Sequence, residues 1–122
     1  MTDGKGLRRA LLDLHRSLLQ AQRIESERFG GRMTASEVLQ AASEDMRFDW
    51  LKSLSGPIAQ LNEAYAAGKA GRADQAVAAI RGLIDPPDPA TAFGTRYLRA
   101  LQESPDVVLA HRDATAALRR AN

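Results

Sequence analysis

The sequence contains no cysteine among its 122 residues, which excludes disulfides, thiolate metal sites and cysteine nucleophiles. Aromatic residues make up only 5% of the chain. No apolar run approaches the roughly 18 residues that are needed to cross a bilayer. An export signal would require an uninterrupted apolar segment near the start, whereas residues 11–16 alternate leucines with Asp13, His15 and Arg16. We therefore expect a cytoplasmic protein that makes no use of a membrane.

The charge balance is also small, with 17 Lys and Arg against 15 Asp and Glu. Cations cluster at residues 5–9 and at the Arg119-Arg120 pair, which we interpret as solvated helix faces and ends. Residues 34–54 resemble two helices and a turn, as in a DNA-binding helix-turn-helix. The acidic residues of the second half offset its cations, so the segment would repel phosphates about as much as it attracts them. The sequence therefore gives little support to a nucleic-acid partner.

Hydrophobic residues account for 44% of the chain and recur at helical spacing, without the strict alternation that is typical of strands. This pattern predicts an all-α fold. We expect a single domain over residues 1–122, a compact antiparallel bundle of five to six helices joined by short connections. Residues 1–6 are expected to be a flexible N-terminus, and residues 85–89 a Pro-rich link between helices.

The first helix is expected over about residues 7–29, ending at Gly30-Gly31. Its apolar face is unusually wide for so small a domain, because it covers nearly half of the helix circumference. Such a width suits a helix that contacts several neighbours or a second subunit. The face consists of Leu7, Leu11, Leu12, Leu14, Leu18, Leu19 and Phe29.

Two further helices follow. Thr34 and Glu37 form a capping box, which predicts a short helix with Val38, Leu39 and Ala42 on its apolar face and an end near residues 44–45. The next apolar stripe runs in register from Leu51 to Tyr65 across Pro57. Either one helix is kinked at this proline or two helices meet there, and the unbroken register favours one helix.

The last three helices are separated by proline signals. A fourth helix has its apolar face over residues 73–84. Asp88 followed by Pro89 predicts the cap and first residue of a fifth helix, in which Gly94 permits a close approach by a neighbour. Ser104-Pro105 repeats this signal for a sixth helix, whose inward face includes His111.

Several segments, spread over almost the whole chain, resemble those of a known protein family. They are Leu14-His15 with Leu18-Leu19, Arg23 and Glu27-Arg28, then Phe48-Asp49-Trp50-Leu51 with Leu54-Ser55, then Phe93, Arg96-Tyr97 and residues 104–111. These segments resemble a family of small, all-helical bacterial proteins with no known activity. The resemblance implies a bacterial single-domain helical protein and assigns no functional residue.

Motifs for chemistry are few. The sequence has no Gly-rich phosphate loop, no nucleophile-elbow serine, no His-Glu-x-x-His and no Glu-x-x-His. It therefore predicts no cofactor and no metal site, and it favours a protein that is not an enzyme.

The candidate polar site consists of His15, Glu25 and His111. His15 lies on the apolar face of the first helix, with Glu25 further along the same face. His111 occupies a similar place on the last helix, so the two imidazoles would converge if these helices pack together. Such a group could bind a small molecule or transfer protons. The alternative is that both are core histidines bonded to backbone carbonyls.

Trp50 lies at the edge of its helical stripe and is the candidate contact with a partner. The alternative, which the pattern favours, is a core tryptophan with a satisfied N–H.

We expect a protein-interaction or self-association module that uses the helix at residues 7–29, with a small-molecule or acid–base site and a nucleic-acid-associated role as alternatives.

Overall fold

A computed structural model describes residues 4–121, except for the side chain of Phe29, and confirms the all-α fold. Its elements are α1 (Gly4–Gly30), α2 (Ala35–Glu44), a 3₁₀ helix (Met46–Leu51), α3 (Lys52–Ala66), α4 (Ala70–Ile84), α5 (Ala92–Glu103) and α6 (Pro105–Arg120). The most extensive packing joins α3 to α4 and α1 to α6. The first and last helices are therefore neighbours, and the elements form a helical bundle around a shared core.

Helix α1 begins earlier than the sequence pattern indicates. Residues 4–6, expected to be flexible, form its first turn, whereas residues 1–3 lie outside the described part of the chain. The Arg8 Nε donates to the Gly4 carbonyl at 3.0 Å, and a Cβ on Gly4 would contact the Tyr65 ring at 3.4 Å. The first turn therefore lies close against the Tyr65 ring of α3. At the other end Gly31 has a φ of +82°, in agreement with the predicted glycine terminus.

The wide apolar face of α1 is mostly covered by the chain's own helices. Leu7, Leu11, Leu14 and Leu18 are buried and Leu19 is half-buried, whereas Leu12 retains 46% of its exposure. Of the wide apolar face predicted for α1, the part that remains exposed to solvent is thus mainly Leu12. The Phe29 side chain is outside the described residues.

Local capping signals explain α2 and the start of α6. The Thr34 hydroxyl accepts from the Glu37 N–H while the Glu37 carboxylate accepts from the Thr34 N–H, both at 3.1 Å, which confirms the capping box. Ser104 caps α6 and Pro105 is its first residue, also as predicted.

The predicted apolar face of α2 is wrong in part. Val38 and Ala41 are buried, whereas Leu39 is 69% exposed. A helix of only 10 residues covers the core with a narrow stripe, so a position one residue away points to solvent.

Helix α3 continues through Pro57 as a single helix, in agreement with its unbroken register. The 3₁₀ helix that leads directly into it was not predicted. There the Asp45 carboxylate accepts from the Arg47 N–H at 2.9 Å, and this cap starts a helical segment that buries Phe48 and Leu51.

The predicted start of α5 is wrong. Asp88 and Pro89 form a turn, and the cap is Thr91, whose hydroxyl accepts from the Gly94 N–H at 2.9 Å. The Asp88 carbonyl accepts from both the Thr91 N–H and its hydroxyl. This turn brings Asp88 so close to Gly94 that a Cβ there would overlap the Asp88 carbonyl, which confirms the close approach expected at Gly94.

Candidate functional site

His15, Glu25 and His111 have separate surroundings, although α1 and α6 pack together. No hydrogen bond or ion pair within residues 4–121 joins any two of them. Glu25 forms an ion pair with Arg99 of α5 at 3.4 Å, and His111 bonds to Tyr97 of the same helix. His15 is half-buried on α1, and burial lowers its pKa from 6.5. It makes no hydrogen bond within the described chain, so the predicted bond to a backbone carbonyl is wrong for this residue.

His111 and Tyr97 form a defined hydrogen-bonded pair. The Tyr97 Oη lies 2.7 Å from the His111 Nδ1, and the two rings meet edge to face with centroids 5.5 Å apart. Burial raises the pKa of Tyr97. Burial also lowers the pKa of His111, and Arg119 lowers it further, while Asp85 acts in the opposite direction. Both groups are therefore neutral at pH 7, and the tautomer of the imidazole decides whether the Tyr97 hydroxyl or the His111 Nδ1 donates.

An ion pair beside His111 joins the ends of two helices. Asp85 caps the C-terminus of α4, and its carboxylate accepts from Arg119 Nη2 at 2.7 Å and from Arg119 Nε at 3.0 Å. The Arg119 guanidinium holds the pKa of Asp85 below its ordinary value. Both charges are thereby engaged in fixing α4 to α6, which indicates a structural role for this cluster.

Trp50 is half-buried, and its indole N–H donates to the Gln22 Oε1 at 2.9 Å. Gln22 is only 3% exposed and donates in turn to the Ser26 hydroxyl at 3.1 Å. The Trp50 ring contacts Phe93 at a centroid distance of 5.7 Å. The polar end of Trp50 is therefore occupied within the chain, as the core interpretation of this residue expects, while part of its ring remains accessible. The sequence analysis gave no role to Gln22, although it lies near the apolar face of α1.

A small recess adjoins Trp50 and the Glu25–Arg99 ion pair. Its volume is about 20 Å³. A single water occupies a site of roughly 10–15 Å³, so the recess has no room for an organic ligand. Glu25 lines it, whereas neither histidine does.

A much larger cleft, of about 810 Å³, lies between the N-terminal half of α1 and α3. Its lining includes the exposed Leu12 and the half-buried Ile58. Four cations and one anion surround these apolar groups, so the cleft has a basic border. We call it the α1/α3 cleft, and its lining residues are Lys5, Arg8, Arg9, Leu12, Asp13, Arg16, Ile58 and Asn62.

The cations of the α1/α3 cleft are partly fixed in position. The Arg8 guanidinium lies over the Tyr65 ring, 5.2 Å from its centroid, while its Nε bonds to the Gly4 carbonyl. Arg9 and Arg16 are exposed and form no ion pair within the described residues. The cations at residues 5–9 were predicted to be a solvated helix face, because nothing in the local sequence shows that α3 lies beside them.

Two other clefts are more polar. One of about 420 Å³ lies between the end of α1 and α2, and another of about 560 Å³ lies beside the α3–α4 connection. Across residues 4–121 no group of three His, Asp or Glu side chains is arranged to hold a metal ion. Helices of sufficient length and apolarity to cross a bilayer are likewise not found in that range.

Comparisons of the chain with protein-family models, with curated proteins and with solved structures give no match. The resemblance to small bacterial proteins therefore stays a prediction, and any function has to be argued from the geometry of the chain itself.

Proposed function

We propose that this protein is a non-enzymatic helical module for protein association and that the α1/α3 cleft is its contact surface. The observation that carries the proposal is the cleft itself, in which an exposed leucine lies between fixed and unpaired cations. Leu12 is 46% exposed, whereas the other leucines of the α1 apolar face are buried or, for Leu19, half-buried. Grooves between helices that combine apolar and charged side chains are common docking sites for partner segments.

The alternative small-molecule or acid–base site has weaker support. Two of its three residues already bond within the chain, Glu25 to Arg99 and His111 to Tyr97. The recess beside Glu25 has room for little more than water. A ligand of Glu25 would have to compete with Arg99, and a ligand of His111 Nδ1 would have to compete with Tyr97.

Trp50 is a weaker candidate for the partner contact than Leu12. Its N–H is bonded to Gln22 and its ring packs on Phe93. Contact residues that contribute strongly to binding are usually aromatic anchors that enter a pocket of the partner. The packing of Trp50 against its own chain leaves only part of the ring for that purpose.

Site-specific photo-crosslinking in the organism that encodes the protein tests the proposed function. A benzophenone amino acid replaces Leu12 in one variant and Leu109, a similarly exposed leucine of α6, in the control. We expect position 12 alone to give a discrete protein adduct, which is lost when Arg9→Glu and Arg16→Glu are added. The identified partner is then purified and its binding to the wild-type chain measured.

Three results would contradict the proposed function. They are the absence of a protein adduct at position 12, the same adducts at both positions, or recovery of nucleic acid in place of protein. An adduct consisting of two copies of this chain would support association but identify it as self-association.

A further inference from the structure

We propose that the occupant of the α1/α3 cleft is an amphipathic helix of another protein, with acidic residues on both sides of its apolar stripe. This inference rests on the proposed function and specifies the chemistry of the partner. The α1 side of the cleft extends from Lys5 to Arg16, which is about 16 Å at the helical rise of 1.5 Å per residue. On the α3 side Ile58 and Asn62 lie one helical turn apart. A third helix of about three turns would therefore lie along α1 and contact α3 through one turn.

Both sides of the cleft carry an apolar side chain. Leu12 of α1 and Ile58 of α3 come from the two walls and are both partly accessible. A partner helix placed between them would bury both with residues spaced three and four apart. A peptide that binds by strand addition would require an unpaired strand edge, which the described residues do not offer because they contain no strand.

The charges of the cleft favour an acidic partner. Arg9 and Arg16 are exposed cations without an ion pair in the described chain, and Arg8 is held over Tyr65. Asp13 is the single anion of the cleft. Carboxylates on the flanks of the partner would therefore meet cations of both fixed and adaptable geometry.

Other occupants fit less well. A second copy that binds through the same cleft about a twofold axis would place this cluster of cations against itself. An anionic membrane would meet the cations, but Leu12 is the single exposed apolar side chain that the cleft offers for insertion. A nucleic-acid strand would find cations but no exposed aromatic face for stacking, because Arg8 covers Tyr65.

The test uses the purified full chain and three labelled peptides of about 12 residues, the length of the cleft in helical form. The first has leucines at helical spacing flanked by glutamates. The second has lysines in place of the glutamates, and the third has the composition of the first in scrambled order. We expect saturable binding of the acidic amphipathic peptide only, weakened by salt, as measured by fluorescence anisotropy.

Matched variants locate the binding. Leu12→Glu is expected to lower the affinity for the acidic peptide by at least about tenfold. Leu109→Glu, at a similarly exposed leucine, is expected to leave this affinity unchanged. The double variant Arg9→Glu/Arg16→Glu is expected to bind the acidic peptide more weakly and the lysine peptide more tightly than the wild-type chain does. Arg112→Glu/Arg120→Glu makes the same change of net charge at exposed positions of α6 and is the control. If Leu12→Glu unfolds the chain, binding of the two peptides to Arg9→Glu/Arg16→Glu still tests the inference, because both arginines are exposed.

Several results would overturn the inference. They are equal binding of the lysine or scrambled peptide, equal weakening by the α6 control variants, or tighter binding of a single-stranded oligonucleotide or of vesicles rich in anionic lipid. A concentration-dependent dimer in sedimentation that Arg9→Glu/Arg16→Glu abolishes would also overturn it. If position 12 crosslinks to a protein and the acidic peptide does not bind, the partner chemistry is wrong and the proposed association function stands.

Discussion

The Trp50 indole donates a hydrogen bond to the side chain of Gln22 across 28 residues of sequence, with a nitrogen–oxygen distance of 2.9 Å. This bond joins the 3₁₀ helix to α1, and Gln22 is almost fully buried where it is formed. The amide nitrogen of Gln22 is satisfied by Ser26. Gln22 is therefore a structural residue that fixes the position of Trp50.

Gln22→Leu is expected to lower the free energy of unfolding by about 1–3 kcal/mol, because it leaves the half-buried indole N–H without its acceptor. Urea unfolding followed by tryptophan fluorescence measures this effect directly, since Trp50 is the only tryptophan in the chain. The control is Gln20→Leu at an exposed position of the same helix, with an expected change within about 0.5 kcal/mol. Equal losses in the two variants would show that the Trp50–Gln22 bond contributes nothing.

Two helical glycines are expected to respond in opposite directions to alanine. Gly82→Ala, in the exposed last turn of α4 with open space around its Cα, is expected to stabilise the chain by about 0.5–1 kcal/mol. Gly94→Ala is expected to destabilise it by about 1–3 kcal/mol or more, because the new Cβ would overlap the Asp88 carbonyl. Thermal and urea unfolding of both variants check the pair, and stabilisation by Gly94→Ala would refute the close contact with Asp88.

The histidines make stability depend on pH below about 6.5. Burial lowers the pKa values of His15 and His111 in the folded chain below 6.5. At a pH between these lowered values and 6.5, the unfolded chain therefore binds more protons than the folded chain does. The free energy of unfolding therefore falls as the pH decreases through that interval and is constant well above it. Urea unfolding at about pH 7.5 and about pH 5 is expected to show the higher stability at the higher pH.

Proton NMR provides the control for this pH dependence, because the chain has only two histidines. Both imidazoles are expected to titrate below 6.5, and the resonance that disappears in His15→Gln assigns the other to His111. Tyr97→Phe identifies the donor of the Tyr97–His111 bond: the pKa of His111 rises if the phenol donates to Nδ1, since that bond stabilises the neutral ring, and falls if Nδ1–H donates to the phenol. Titration of His111 at or above 6.5 in the wild-type chain would contradict the described environment.

The parts of the fold that depend on local signals were predictable. The Thr34 and Ser104 caps and the continuation of α3 through Pro57 follow from residues within a few positions of each other. The start of α5 could not be predicted from local signals, because Asp88 and Thr91 are both suitable N-cap residues. The turn between them places Thr91 at the N-cap.

The candidate site was predictable only in its components. His111, Glu25 and Trp50 were identified from helical faces, but their partners Tyr97, Arg99 and Gln22 are set by contacts between helices. The α1/α3 cleft shows the same limit. The cations and Leu12 are evident on one face of α1, whereas the second wall depends on where α3 packs.

Cysteine footprinting tests the location of the contact most directly, since the natural chain contains no cysteine. Single variants Leu12→Cys, Asn62→Cys, Leu39→Cys and Leu109→Cys are treated with a maleimide, with and without the partner identified by crosslinking. We predict that the partner slows labelling at positions 12 and 62, on the two walls of the α1/α3 cleft, and leaves positions 39 and 109 unchanged. Protection at 39 or 109 with free labelling at 12 and 62 would contradict the assignment of the α1/α3 cleft as the contact surface.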